Sequence, residues 1–319
     1  MVAQEKILVT GAGGQLGIEL CQTLSEKFGN EAVYATDINP NSAKNLNFCN
    51  FSILNVLDKD ALRKIIVTNK FTQVYHLAAI LSATGEKNPL FTWDLNINSL
   101  LSILELAREF KFKLFWPSSI AVFGKDTPNI NTPQNPNMIP ETVYGISKQA
   151  GEQWCNYYYL KYGVDVRSVR YPGLIGYKTL PGGGTTDYAV DIFHKAIEGE
   201  SFNCFLLENT RLPMMYMEDA IAATINLMME NSKSISIRTS YNISGMSFTP
   251  KEIYEEILKL YPNFKISYNP DTRQQIAESW PQSIDDFYAQ KDWNWKPKFD
   301  LQLLVQEMIT NLKLTLINS

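Results

Sequence analysis

The chain has 319 residues, 45 % of them hydrophobic and 19 % charged, which fits a globular protein with room for one large or two ordinary domains. A formal net charge of −4 gives no sequence-independent attraction to nucleic acid or to an anionic membrane, and no apolar run reaches the ~18–20 residues that span a bilayer. Two histidines and four scattered cysteines, with no Cys-x-x-Cys, predict neither a zinc ribbon nor a catalytic metal.

The opening Met-Val-Ala-Gln-Glu-Lys leads straight towards a strand and leaves no room for a signal peptide. The expected location is the cytoplasm, or the mitochondrial matrix if a transit peptide has been removed. Residues 6–10 are a short apolar run ending in Gly11-Ala-Gly-Gly14-Gln-Leu-Gly17, and residues 18–27 carry apolar positions at helical spacing. Strand, glycine turn and helix is the context a dinucleotide phosphate cradle requires. One glycine serves the tight turn, one the approach of pyrophosphate to the backbone, and one the packing of helix on strand. The helix N-terminus then faces the anion. Gly11, Gly14, Gln15, Leu16 and Gly17 are the candidate contacts, with Gly13 also present. The next strand, 32–36, ends at Asp37. A carboxylate there can accept both ribose hydroxyls and would repel a 2′-phosphate. No arginine follows in Ile38-Asn39, so NAD is predicted over NADP.

Residues 47–53 read as a third strand, with Asn55 and Val56 beyond its end and a helix capped by Asp58. Residues 71–77 read as a fourth, closing on His76-Leu-Ala-Ala79. Leu77, Ala78 and Ala79 can lie against a cofactor, as can Pro172 further on, whereas His76 reads as a packed strand residue. A long helical pattern covers 90–110 and a fifth strand 113–116. This alternation predicts an α/β, doubly wound parallel sheet with right-handed crossovers. Ligands bind at the carboxyl ends of such strands, where Gly11, Asp37, Ala78 and Ser118 all fall.

Within Thr-Val-Tyr-Gly-Ile-Ser-Lys-Gln-Ala-Gly-Glu, residues 142–152, Tyr144 and Lys148 share one helix face. A phenol with a pKa of about 10 is a poor base at neutral pH. A neighbouring ammonium favours the phenolate, and the pair can then take a proton from an alcohol. Taken alone, the pair also fits an ordinary solvated helix. In Pro181-Gly-Gly-Gly-Thr-Thr-Asp, three glycines with Thr185 and Thr186 before a helix suit a small anion, or a flexible loop with a threonine cap. Further helices are expected at 187–198, 216–229 and 248–261, the last capped by Thr249 with Pro250 at its first position. A strand is expected at 203–207. Trp280, beside Pro281, reads either as a lid over a small ligand or as ordinary packing.

Gly11-x-x-Gly14-x-x-Gly17, Pro117-Ser-Ser119-Ile-Ala-Val-Phe-Gly124 and Tyr144-x-x-x-Lys148 together resemble the extended short-chain dehydrogenase/reductase superfamily, which includes sugar-nucleotide epimerases. That resemblance covers 5–245. Two departures occur: Phe123 replaces the usual tyrosine, and Asn55 stands where an aspartate often meets adenine. Leu81-Ser82-Ala-Thr-Gly-Glu-Lys-Asn-Pro89, Gly182-Gly-Gly-Thr-Thr186-Asp-Tyr-Ala and Arg273-Gln-Gln-Ile-Ala-Glu-Ser-Trp280-Pro look like the short-chain-type L-threonine 3-dehydrogenases. They extend the likeness to nearly the whole chain.

The resemblance implies a Rossmann domain at 1–175 and a smaller C-terminal α+β substrate-binding lobe at 176–319, with 215–245 returning to the Rossmann core. It implies NAD-dependent oxidation of L-threonine to 2-amino-3-oxobutyrate, by hydride transfer from Cβ to nicotinamide C4. Tyr144 would be the base, Lys148 would bind the nicotinamide ribose, and Ser119, with Ser118 beside it, would hold the reacting oxygen. Ser82, Ser119, Tyr144, Thr186 and Trp280 would surround the amino acid, with Gly184 and Thr185 as weaker candidates. Residues 179–187 and Trp280 would form a lid. A homodimer, or a tetramer, would pair helices 90–110 and 142–162 through residues such as Trp93, Leu101, Trp154, Tyr157 and Tyr158. The alternatives are a nucleotide-sugar epimerase or dehydratase of the same superfamily, and a non-catalytic NAD-binding sensor.

Overall fold

A computed structural model describes residues 5–180, 182 and 184–318, with side chains up to residue 315. The first four residues of the opening segment, and Pro181 and Gly183 of the expected lid and anion loop, lie outside the described residues.

Ile7–Thr10 (β1) is buried at every position, as a strand covered on both faces must be. It passes through the glycine turn into Gln15–Phe28 (α1), then Val33–Asp37 (β2) and Asn50–Ile53 (β3). Asp58 caps Lys59–Asn69 (α2) by accepting from Ala61 N at 3.0 Å, and Gln73–His76 (β4) follows. Next come Ser82–Gly85 (α3), Pro89–Trp93 (α4), Ser99–Phe110 (α5), Lys113–Phe115 (β5) and Ser118–Ser119 (β6). Val143–Tyr162 (α6) and Val166–Arg167 (β7) complete the main sheet, whose order is β3-β2-β1-β4-β5-β7, parallel throughout. The predicted doubly wound α/β class is the observed one.

Val169–Tyr171 (β8) and Gly173–Ile175 (β9) start the smaller sheets. Tyr188–Glu198 (α7), Phe202–Cys204 (β10), Leu212–Tyr216 (β11), Met217–Met229 (α8) and Tyr241–Asn242 (β12) come next. Met246–Phe248 (β13), Pro250–Leu258 (α9), Ile266–Tyr268 (β14), Thr272–Glu278 (α10), Phe287–Trp293 (α11) and Leu301–Asn318 (α12) close the chain. The minor sheets are ordered β12-β8-β6, β13-β11-β9 and β10-β14.

Apolar side chains gather in three clusters. Leu8, Leu62, Leu104 and Val166 pack on one face of the main sheet. Val9, Leu20 and Val33 pack on the other, joined by Ala220 and Met228 of α8, so the chain returns here to the N-terminal sheet. Phe193, Ile253 and Leu304 build the C-terminal core, which also takes in Tyr144.

The helix expected over 90–110 runs unbroken but is not α throughout. Asp94–Asn98 is a π-helical stretch between α4 and α5. Within it Asn96 is buried and holds the backbone of Ile80 from both sides, accepting from its N at 2.8 Å and donating to its O at 3.1 Å. Such single-turn bulges re-aim one side chain without ending the helix. Of the apolar residues expected on the outer face, Trp93, Trp154 and Tyr157 are exposed, but Tyr158 is buried and bonded to Glu105. Among the described residues no helix is long and apolar enough to cross a membrane, and no group of three or more His, Cys, Asp or Glu side chains could hold a metal ion.

Candidate active site

The glycine turn divides its work as its spacing suggests. Gly11 has φ +69°, and a Cβ there would lie 2.6 Å from Ala78 N, so the turn needs a glycine both for conformation and for approach to the segment that leaves β4. A Cβ on Gly17 would meet Ala12 at 2.7 Å, which places this glycine in the packing of α1 on its own turn. Gly14 caps α1 with no side-chain bond, and the nearest atom to an added Cβ is Gly11 O at 3.4 Å. That leaves open backbone at a helix N-terminus, the setting a pyrophosphate requires. Asp37 ends β2, and its carboxylate accepts from Gly13 N at 2.8 Å and Asn39 N at 2.9 Å. Its remaining lone pairs can serve ribose hydroxyls. Asn55 spends its carbonyl oxygen on Leu57 N at 3.0 Å, an Asx turn that leaves the amide hydrogens as its means of meeting a base. His76 is fully packed between Thr10 (Nδ1, 2.7 Å) and Ser99 (Nε2, 2.9 Å), and burial pushes its pKa down to about 3. It is a neutral structural residue, as the sequence reads.

Thr142 caps α6 by accepting from Gly145 N at 3.0 Å, which sets the rotation of the helix one turn before its reactive face. Tyr144 is 9 % exposed and lines the same cavity as Ser119, the hydroxyl that favours its ionised form. Lys148, 2 % exposed, donates to the Pro117 carbonyl at 2.7 Å and stands 5.5 Å from the Tyr144 ring centroid. Burial pushes the Tyr144 phenol up to about 12, against the pull of Ser119, and pushes Lys148 down to about 7. Burial thus opposes the charged form of both partners of the pair. A phenolate here needs positive charge beside the ring, as expected of Lys148 together with a bound nicotinamide. Ser119 is well placed, whereas Ser118 turns its hydroxyl away, to Glu152 Oε1 at 2.6 Å.

At the far end Ser82, which starts α3, is buried. Thr185 is also buried, and among the described residues its hydroxyl has no hydrogen-bond partner. Thr186 is half-buried, and Trp280 is 7 % exposed within the C-terminal core. Gly184 N donates to Asp187 Oδ2 at 2.7 Å. The anion cradle expected in this loop thus already meets a carboxylate of the chain itself, and the loop is less of an anion site than its glycines suggest.

All the candidate positions, from Gly11, Asp37, Val56 and Ala79 through Pro172 to Trp280, line one cavity of about 580 Å³. It also takes in Ile38, Leu54, Ile80 and Phe91, which sequence reasoning missed, and Asp187, expected only as part of the lid. Apolar walls carry no motif. Asp187 carried a signal, as the one acid following the double threonine, but reads equally as a helix cap.

A strand-turn-helix cradle, a carboxylate at the end of β2 and a buried Tyr/Lys pair on one sheet edge define a dinucleotide-dependent enzyme of the short-chain type. The model of the NAD dependent epimerase/dehydratase family matches residues 7–244, and the chain belongs to that family. NAD is its cofactor, and the open backbone at Gly14 beside Asp37 fits it. An uncharacterized epimerase/dehydratase of Staphylococcus haemolyticus is 46 % identical over 307 residues, covering 96 % of each chain. Among solved structures, the holo form of a GalE-like L-threonine dehydrogenase from Cupriavidus necator is 54 % identical with a TM-score of 0.94, over 96 % of this chain and 99 % of that one. The apo form of a monomeric L-threonine 3-dehydrogenase from a metagenome is 49 % identical with a TM-score of 0.93, over 97 % and 99 %.

Proposed function

We propose that this enzyme oxidises L-threonine to 2-amino-3-oxobutyrate with NAD+, a step of amino-acid breakdown. The observation that carries the reading is the placement of Tyr144. It stands beside Ser119 and one turn from Lys148, in a cavity that runs from the glycine cradle to Ser82, Thr186, Asp187 and Trp280. When bound, the nicotinamide supplies the hydride acceptor and a positive charge beside Tyr144. Tyr144 takes the hydroxyl proton of the substrate while Ser119 donates to the same oxygen. Lys148 holds its ammonium one turn away and serves the ribose. Ser82 and Thr186 offer neutral donors to the substrate carboxylate. Asp187 is the acid at this end of the cavity, suited to an ammonium group. Trp280 and the described residues of 179–187 wall the site against water.

Location in the cytoplasm, or the mitochondrial matrix, belongs to the same reading. So does assembly into a homodimer or tetramer through the face where Trp93, Trp154 and Tyr157 are 39–44 % exposed. The test is an NADH assay across L-threonine, allo-threonine, serine and UDP-sugars. L-threonine should give NADH in proportion to product. Conversion of a UDP-sugar without net NADH would place the enzyme with the epimerases instead.

A further inference from the structure

One turn beyond Lys148 on α6, Glu152 forms the least exposed ion pair among the described residues, with Arg170 of β8 (Nη2–Oε2 2.7 Å; side chains 0 % and 1 % exposed). Its Oε1 also accepts from Arg170 Nε at 2.9 Å and from the Ser118 hydroxyl at 2.6 Å. Arg170 is fixed in turn by the Gln134 carbonyl at 2.6 Å and Asn242 Oδ1 at 2.9 Å. Ser118 lies between two residues of the site. The carbonyl of Pro117 receives Lys148 Nζ, and Ser119 lines the cavity with Tyr144. Helix α6 therefore grips this strand twice in succession, through Lys148 on Pro117 and through Glu152 on Ser118.

Stability alone is a poor reason to keep such a pair, since desolvating both ions offsets most of their attraction. Its position suggests another. The productive state needs one proton off Tyr144 and on Lys148, and burial opposes both. A negative charge at the lysine end favours that arrangement. Tyr144 lies about 12 Å of helix axis from Glu152, and Lys148 half of that. We propose that Glu152 is a positioning residue: through Ser118 it locks the Pro117–Ser119 strand to α6, and it sets a fixed negative charge one turn behind the Lys148 ammonium. It rests on the dehydrogenase chemistry proposed above.

The groups facing Lys148 are Tyr144, Glu152 and Cys155 from α6, His76 from β4, the Trp116 ring at 4.4 Å, and Arg170 behind Glu152. Burial holds His76 neutral and pushes the Cys155 thiol up. Neither changes charge between about pH 6 and 9.

Glu152→Gln keeps the shape and the acceptor for Ser118 but removes the charge. The midpoint of Lys148 acylation by a small amine-reactive reagent, followed against pH by peptide mass spectrometry, should fall by about one unit. In the same variant kcat should fall about tenfold or more, while KM for both substrates changes by less than about threefold. The neutral double variant Glu152→Gln/Arg170→Gln should move the midpoint back towards wild type. An unchanged midpoint in folded Glu152→Gln overturns the proposal. Should that variant not fold, Ser118→Ala cuts only the link to the strand. There kcat should fall with the labelling midpoint unmoved, and a wild-type kcat overturns the proposal. Labelling needs no turnover. A wild-type protein inert towards L-threonine but showing the shifted midpoint in Glu152→Gln would sink the threonine reading and uphold the role of Glu152.

Discussion

Tyr144 loses its hydroxyl and little else when replaced by phenylalanine, because its ring packs in the C-terminal core. Tyr144→Phe should lower kcat by about 10²–10⁴, the usual worth of a positioned acid/base group, while NAD+ affinity by calorimetry stays within a few-fold. A variant keeping a tenth of its turnover would remove Tyr144 from the chemistry. His76 supplies a prediction of another kind. Its folded pKa of about 3 lies below the unfolded value of about 6.5. The unfolded chain thus binds a proton that the folded chain refuses, and stability is lost as pH falls through that window. Tm should drop between pH 7 and pH 5, with a shallower slope in His76→Asn. Equal slopes would mean that His76 is charged in the fold. At this scale the sequence is readable where chemistry demands a residue type at a fixed spacing, as with Asp37 after the glycine turn or Lys148 after Tyr144. It is silent on Glu152 and Arg170, whose meeting depends on β8 passing beneath α6, and on Ile38 or Phe91, which any apolar residue resembles.

Helix α6 links two of the three clusters to the site, through Tyr144 in the C-terminal core and Cys155 and Tyr158 on one face of the main sheet. Gly151 lets it lie against Trp116: a Cβ there would stand 2.3 Å from the ring, with Leu100 at 3.1 Å behind it. The same ring carries Lys148 Nζ on its face. Gly151→Ala should gain some helix propensity but force the ring aside, for a net loss of about 1–3 kcal/mol in urea unfolding. Its kcat should fall by more than its KM rises. A stabilised, fully active Gly151→Ala would show that the packing is looser than described. Elements of this length are legible from their period and caps, as at Asp58 and at Thr249, where the capping box with Glu252 is formed. Strands of two or three residues, such as β6, β7 and β12, are too short to show alternation. The π-helical turn at Asp94–Asn98 is a single turn inside a longer helix and has no residue type of its own to mark it in the sequence.

The whole molecule stores its binding site between the main sheet and the C-terminal core, so cofactor and fold are thermodynamically linked. NAD+ at about a hundred times its Kd should add about 2.7 kcal/mol to stability, visible as a raised Tm. NADP+ at the same concentration should add far less, since its 2′-phosphate would face the Asp37 carboxylate. Equal shifts would show that Asp37 does not select the ribose. The α/β class follows from alternating strands and helices, but the return of α8 to the N-terminal sheet is a long-range fact that local pattern cannot fix. The central claim is that an alcohol carbon of a small amino acid gives up its hydrogen next to Tyr144. L-threonine carrying deuterium on Cβ tests this directly, by mass spectrometry of the NADH formed. One deuterium per NADH, with a slowed hydride step, is the predicted result. NADH free of deuterium, or no NADH from L-threonine at all, would contradict it.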